Sequence, residues 1–252
     1  MILLLVFYSC KRYPESPVPG KATLADESIM SLNPGFGEKD AVHSSKYTLA
    51  TMPLLPDSIL AAGIPGQISK WDFHLIALSD TLKWDWRLLA SIMWQESRFQ
   101  PNVRSFAGAY GLMQLLPSTG WNFGIDITSS PVNNIRAGVM YLKYLQEFFA
   151  ERVPDKDERL KFILAAYNAG EGNIIDAMNL ASKHGRDPLK WDDNVAYYLL
   201  MKTDSVYFSD PVVRNGYCNG YESVNFVRLV LGRYSEYLGH QPKKPSLIAW
   251  QQ

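Results

Sequence analysis

The stretch "IMWQESRFQPN" places a single carboxylic acid, Glu96, at the end of a run whose other same-face positions are apolar. An acid aligned with a core face is short of water, which favours its neutral form and raises its pKa. Glu96 also falls near the C-terminus of its helix, where the negative end of the macrodipole pushes the same way. Both effects suit a general acid working near neutral pH. The stretch alone equally allows Glu96 to turn to solvent or to pair with Arg98. Two further stretches carry usable chemistry. "SFAGAYGLMQLLPSTG" sets Gly108 and Gly111, which permit tight backbone turns, around one amide, Gln114. "AAYNAGEGN" puts Tyr167 and Asn168 just before a glycine turn, where a phenol and an amide can converge on a pocket. As bare patterns, the first is also a loop leading into a short helix and the second a glycine-capped helix end.

Positioning these groups requires helices. "DTLKWDWRLLASIMWQESRF" repeats Trp86, Leu89, Ile92, Met93 and Glu96 at spacings of three and four, the period of one helix face. "NNIRAGVMYLKYLQEFFA" places Ile135, Val139, Leu142 and Phe149 similarly, with Asn133 as the expected N-cap. "ERLKFILAAYNAG" stacks Leu160, Ile163, Leu164 and Tyr167 and stops at Gly170. Asp192 or Asp193 is expected to cap a helix through "NVAYYLLMK", and a last helix runs from about Tyr221 to Tyr237. Strand-like alternation is scarce. The expectation is a mainly α domain over 68–245. The tryptophans at 71, 84, 86, 94, 121 and 191, with Tyr197 and Tyr198, are expected mostly in its core.

The chain has 252 residues, 47% hydrophobic and 13% aromatic, which suffices for one well-buried core beside less structured segments. A formal net charge of zero gives no basic footprint for nucleic acid. The two cysteines, Cys10 and Cys218, lie far apart without a histidine cluster, so no structural zinc site is expected and Cys218 reads as a buried thiol. The apolar run Ile2 to Tyr8, followed by Ser9 and Cys10, is too short to span a bilayer as a helix. It matches a relaxed bacterial lipoprotein signal over residues 1–10, with Cys10 as the lipidated residue, although basic residues before it are missing. Residues 11–67 carry seven prolines without a sustained period and read as a linker. Residues 246–252 read as a tail.

Taken in order, "ES", "GLMQ" and "AYNAG" resemble the lytic transglycosylases of bacterial cell walls, whose catalytic domain has a lysozyme-like, goose-type fold. "GYESVNFVRLV" is similar to that family's late "ETxxYV" helix, with Phe226 in place of the usual tyrosine. The resemblance runs from about Leu82 to Tyr237. "DPLKWDDNV" and "NGYCNGYESVNFV" resemble a membrane-bound branch that also carries a large solute-binding-like N-terminal domain; no stretch of this chain reads as one.

The resemblance implies cleavage of the β-1,4 bond between N-acetylmuramic acid and N-acetylglucosamine in peptidoglycan, leaving 1,6-anhydromuramoyl ends, with Glu96 as sole acid/base. It implies hydrogen bonds from Ser97 and Ser105 near Glu96 or to the sugar's N-acetyl group. Gly111, Met113 and Gln114 would shape the groove, and Tyr167 would bond Glu96 or face developing positive charge. Asn168 would hold the turn, and Glu222 would contact the N-acetyl group or peptide stem. No metal or organic cofactor is implied. The implied partners are glycan strands and, through Cys10, a membrane, on the periplasmic side of the envelope. Asp126, in "FGIDITSS", reads as a loop or cap residue and not as a second catalytic acid. A hydrolytic muramidase on the same fold and a non-catalytic peptidoglycan-binding module are the competing readings.

Overall fold

The computed structural model describes residues 68–239. The lipoprotein-signal, linker and tail readings, and Cys10 with them, lie outside the described residues. The mainly α, lysozyme-like expectation is met: the described residues form helices, with only two isolated bridges, Arg104 to Tyr110 and Tyr110 to Leu115, in place of any sheet.

Helix α1 (Asp72–Leu82) ends on Lys83 in the left-handed conformation, and α2 (Trp86–Ser97) begins at once. Asp85 caps α2, its carboxylate accepting the Arg87 backbone N–H at 2.9 Å. The short α3 (Pro117–Trp121) follows the glycine-rich turn, and α4 (Pro131–Ala150) is the longest element. Its N-cap is Ser130, not the expected Asn133: the Ser130 hydroxyl accepts the Asn133 N–H at 3.1 Å, with Pro131 at the first helical position. Ser130→Ala is expected to cost about 1 kcal/mol in chemical denaturation.

Helix α5 (Lys156–Ala169) is the centre of the packing. Residues Phe162 to Ala169 are all buried, so the C-terminal part of the helix is enclosed rather than striped, while its charged first turns reach the surface. It packs against α4, α6 (Glu171–Lys183) and α9 (Gly220–Tyr237). Gly170, at φ 86°, both ends α5 and starts α6. Between α6 and α9 lie a kinked segment (Trp191–Val195), in which Asp192 and Asp193 leave the helical conformation, and the short helices α7 (Ala196–Met201) and α8 (Ser205–Phe208). Neither Asp192 nor Asp193 caps α7, which has no side-chain cap. The Asp192 carboxylate turns to Lys161 at 2.6 Å instead, and Asp193 takes a left-handed φ of 57°.

Trp71 and Trp191 are core residues and Trp84, Trp86 and Trp94 are half-buried, while Trp121 is 63% exposed, against the expectation. Cys218 is wholly buried, as expected.

Candidate active site

Glu96 occupies the last turn of α2 and is half-buried, beside the fully buried Leu89, Ile92 and Met93 of the expected face. Arg98 and Phe99 then take left-handed φ values of 54° and 63°, so the chain turns sharply away just beyond the acid. The turn is clamped from outside. The guanidinium groups of Arg98 and Arg233 stack on the Trp94 ring at 3.2 and 3.6 Å, and Trp71 Nε1 donates to the Phe99 carbonyl at 3.2 Å. Burial first and the Arg233 charge second hold the Arg98 guanidinium below its ordinary value.

Residues 103–115 form a compact double turn beside this helix end. Ser105 N–H donates to the Ala109 carbonyl at 2.9 Å, Gly111 N–H to Val103 at 2.9 Å, and Tyr110 and Leu115 exchange both backbone bonds. Gly111 is required on two counts. Its φ is +83°, and a Cβ there would lie 2.4 Å from Asn134 Nδ2. Gly111→Ala is therefore expected to lose at least about 2 kcal/mol in thermal or urea unfolding, because strain at a left-handed position adds to the clash.

The polar residues named from the sequence have structural partners here. The Ser97 hydroxyl is buried and donates to the Leu112 carbonyl at 2.8 Å, with the Met93 carbonyl also within 3.2 Å, so it ties α2 to the turn. Ser105 Oγ accepts the Ala109 N–H at 2.9 Å and closes its own turn. Gln114, at φ 46° and buried, spends its amide N–H groups on the carbonyls of Val103 and Gly111. Met113 is fully buried beneath the turn, fitted against Gly138 of α4, where a Cβ would meet its side chain at 2.8 Å. Asp126 is the expected loop residue: its carboxylate accepts both the hydroxyl and the N–H of Thr128, which pulls its pKa down.

Tyr167 is the group brought to Glu96. Its phenol is fully buried, and its pKa is pushed well up, by burial first and by the Glu96 charge second. Its hydroxyl proton, however, goes to the Met113 carbonyl at 2.7 Å. Tyr167 thus joins α5 to the glycine turn while standing in the field of Glu96. Its ring stacks on Phe226 of α9 at 6.4 Å and packs on Tyr141 of α4 at 5.4 Å. Asn168 reaches across to α9, its Oδ1 accepting the buried Ser223 hydroxyl at 2.7 Å. Glu222 stands in the first turn of α9, half-buried, and accepts the Asn219 side-chain amide at 3.3 Å.

Sequence reading missed two groups. Asn134 is buried; its Oδ1 accepts the Met113 N–H at 2.8 Å and its Nδ2 donates to the Tyr110 carbonyl at 2.9 Å, so one amide secures both sides of the glycine turn. Glu171, the first residue of α6, accepts from Tyr144 at 3.2 Å and lies 3.4 Å from the Tyr141 hydroxyl. The signal for Asn134 was a second asparagine one position inside the helix, where an amide has reason to persist only if it bonds.

The site is thus one half-buried carboxylate at a helix end, bordered by a rigid turn and a buried phenol. Residues 75–189 match the family described as transglycosylase SLT domain. The chain is 42% identical over 154 residues to a membrane-bound lytic murein transglycosylase F of Maricaulis maris (strain MCS10), covering 60% of this chain and 32% of that one. It is 39% identical over 161 residues to the protein of the same name from Pseudomonas fluorescens (strain Pf0-1), covering 64% and 32%. The chain spans about a third of the length of these relatives. A solved structure of an inactive mutant of the lytic transglycosylase Slt from Pseudomonas aeruginosa is 27% identical, covers 56% of this chain and 25% of that one, and superposes with a TM-score of 0.35.

Proposed function

We propose that this chain, which belongs to the SLT-domain transglycosylases through residues 75–189, cleaves the β-1,4 MurNAc–GlcNAc bond of peptidoglycan with Glu96 as its sole acid/base. The observation that carries this reading is the placement of Glu96, half-buried at a helix end, with the fully buried Tyr167 in its field.

Protonated Glu96 gives its proton to the glycosidic oxygen as the C1–O bond breaks through an oxocarbenium-like state. GlcNAc leaves as the alcohol, and Glu96 is left as the carboxylate. The C6 hydroxyl of the same muramoyl residue then attacks C1 and surrenders its proton to Glu96. The acid is regenerated and a 1,6-anhydro ring closes without water. One carboxylate suffices because the nucleophile belongs to the substrate, and well-oriented intramolecular attack reaches effective molarities of about 10⁵ M or more. A glycosidase acting through water or a covalent intermediate uses two carboxylates. The rigid turn at Gly111 to Gln114 walls the cleavage point and Glu222 borders the muramoyl side. The reaction calls on no metal or organic cofactor. Incubation with purified sacculi tests the reading: muropeptides are released without a matching gain in reducing ends, whereas a matching gain refutes it.

The same reading places the domain in the cell envelope, on the periplasmic side of a membrane, with Cys10 as lipid anchor. The intact mass of the chain from its native host is expected to include the lipid adduct; an unmodified or disulfide-bonded Cys10 would refute the anchor.

A further inference from the structure

Glu171 is a carboxylate that the proposed mechanism does not use. Glu171 follows directly on Gly170, which ends the helix carrying Tyr167. It is half-buried, and no ion pair of Glu171 is found among the described residues. Its position is built nonetheless. Tyr144 and Tyr141, two nearly buried and mutually stacked phenols of α4, present their hydroxyls to its two oxygens at 3.2 and 3.4 Å. The first turn of the thirteen-residue α6 adds the favourable end of a helix dipole. Only one aromatic ring, that of Tyr141, separates it from Tyr167. A carboxylate offers about four acceptor positions, and these contacts use two.

From this placement we infer that Glu171 is a substrate-recognition residue, which receives a positively charged amine of the peptide stem on a glycan strand bound in the groove. The inference rests on the proposed activity. A carboxylate only accepts, so it selects donors, and its strongest bonds are to donors that carry charge. The glycan backbone of the substrate is without positive charge, which leaves the amine of the stem peptide as the matching group. Burying a carboxylate without a countercharge is costly, and the phenols and helix end offset this in the free protein without supplying a cation. A stem amine completes the set. Glu171 lies away from the proton transfers of Glu96, so it sets which strands are held and not how the bond breaks.

The test measures binding in a Glu96→Gln background, so that strands are held and not cut. The probes are soluble glycan strands with peptide stems, either with free amines or N-acetylated by acetic anhydride, titrated calorimetrically. The E96Q chain is expected to bind free-amine strands about tenfold more tightly than acetylated ones, the size of one good charge-assisted contact. Adding Glu171→Gln keeps an acceptor for both phenols but removes the charge. The double variant is expected to bind both strands alike, at the weaker affinity. Tyr144→Phe, which leaves the charge, keeps the preference. Equal binding of the two strands by E96Q, or a preference that survives Glu171→Gln, would overturn the inference; the first arm needs no change at Glu171. Anhydro products from the wild-type chain together with equal binding would sink this inference alone, and absence of strand binding would sink it together with the reading on which it rests.

Discussion

Glu96→Gln is expected to reduce turnover of sacculi by about 10³-fold or more while the domain stays folded. In the proposed route the same carboxyl group donates one proton and recovers another. General acid–base assistance is worth roughly 10²–10⁴-fold, and no second group takes over either transfer. Glutamine retains the shape and hydrogen-bonding reach of the half-buried side chain, so stability is expected to change by less than about 1 kcal/mol. Strand affinity is expected to stay within about threefold, since no binding charge outside Glu96 is touched. Comparable rates for variant and wild type would remove Glu96 from the mechanism. Equal losses of rate and of melting temperature would make it a structural acid.

The largest effect on stability is expected far from that chemistry, at Asp176. Lys202 is 0% exposed, and its ammonium donates to Asp176 Oδ2 and Asn173 Oδ1, each at 2.7 Å. Burial pushes the lysine's pKa down, and the Asp176 bond and charge oppose that push. Asp176 also accepts the backbone N–H groups of Arg214 and Asn215 at 2.9 Å each, and so anchors the segment leading to α9. Asp176→Ala strands a buried cation and removes the acceptor of two backbone N–H groups, which is expected to cost about 3–5 kcal/mol in urea unfolding. Asp176→Ala combined with Lys202→Met is expected to recover much of that loss, because breaking a buried pair costs more than replacing it. A loss below about 1 kcal/mol for the single variant would show that the pair is not what anchors the segment.

The helices that carry the site were legible where a stripe was. Leu89, Ile92 and Met93 gave α2 its face, and Glu96 fell where that face predicted, at the edge of the core. Helix α6 was not read at all. Gly170 looked like a stop, and the sequence offered nothing to show that one glycine at φ 86° both ends a helix and begins the next. The N-cap fell three residues early for a similar reason: "SSPVNN" offers several polar cap residues, and only Pro131 at the first turn marks Ser130. Around the acid, the residue types were legible, but their partners within the fold were not. Ser97, Gln114 and Asn168 are polar groups in the three motifs, and the resemblance pointed two of them at a ligand. In the fold their donors and acceptors are needed by backbone carbonyls and by Ser223. Buried polar groups must be satisfied before they can serve a substrate, and that demand arises from tertiary neighbours far away in sequence. Asn134 and Glu171 were missed for the converse reason, since each matters through contacts with segments more than twenty residues distant.

The central claim is that the muramoyl C6 hydroxyl, and not water, takes the place of the departing sugar. The measurement that tests it most directly is mass spectrometry of muropeptides released from purified sacculi in H₂¹⁸O by the full chain, with Glu96→Gln alongside. The account predicts 1,6-anhydromuramoyl ends without ¹⁸O from the wild-type chain and no such products from the variant. Reducing ends carrying ¹⁸O would contradict it, because they would show that water is the nucleophile and that a second group must activate it.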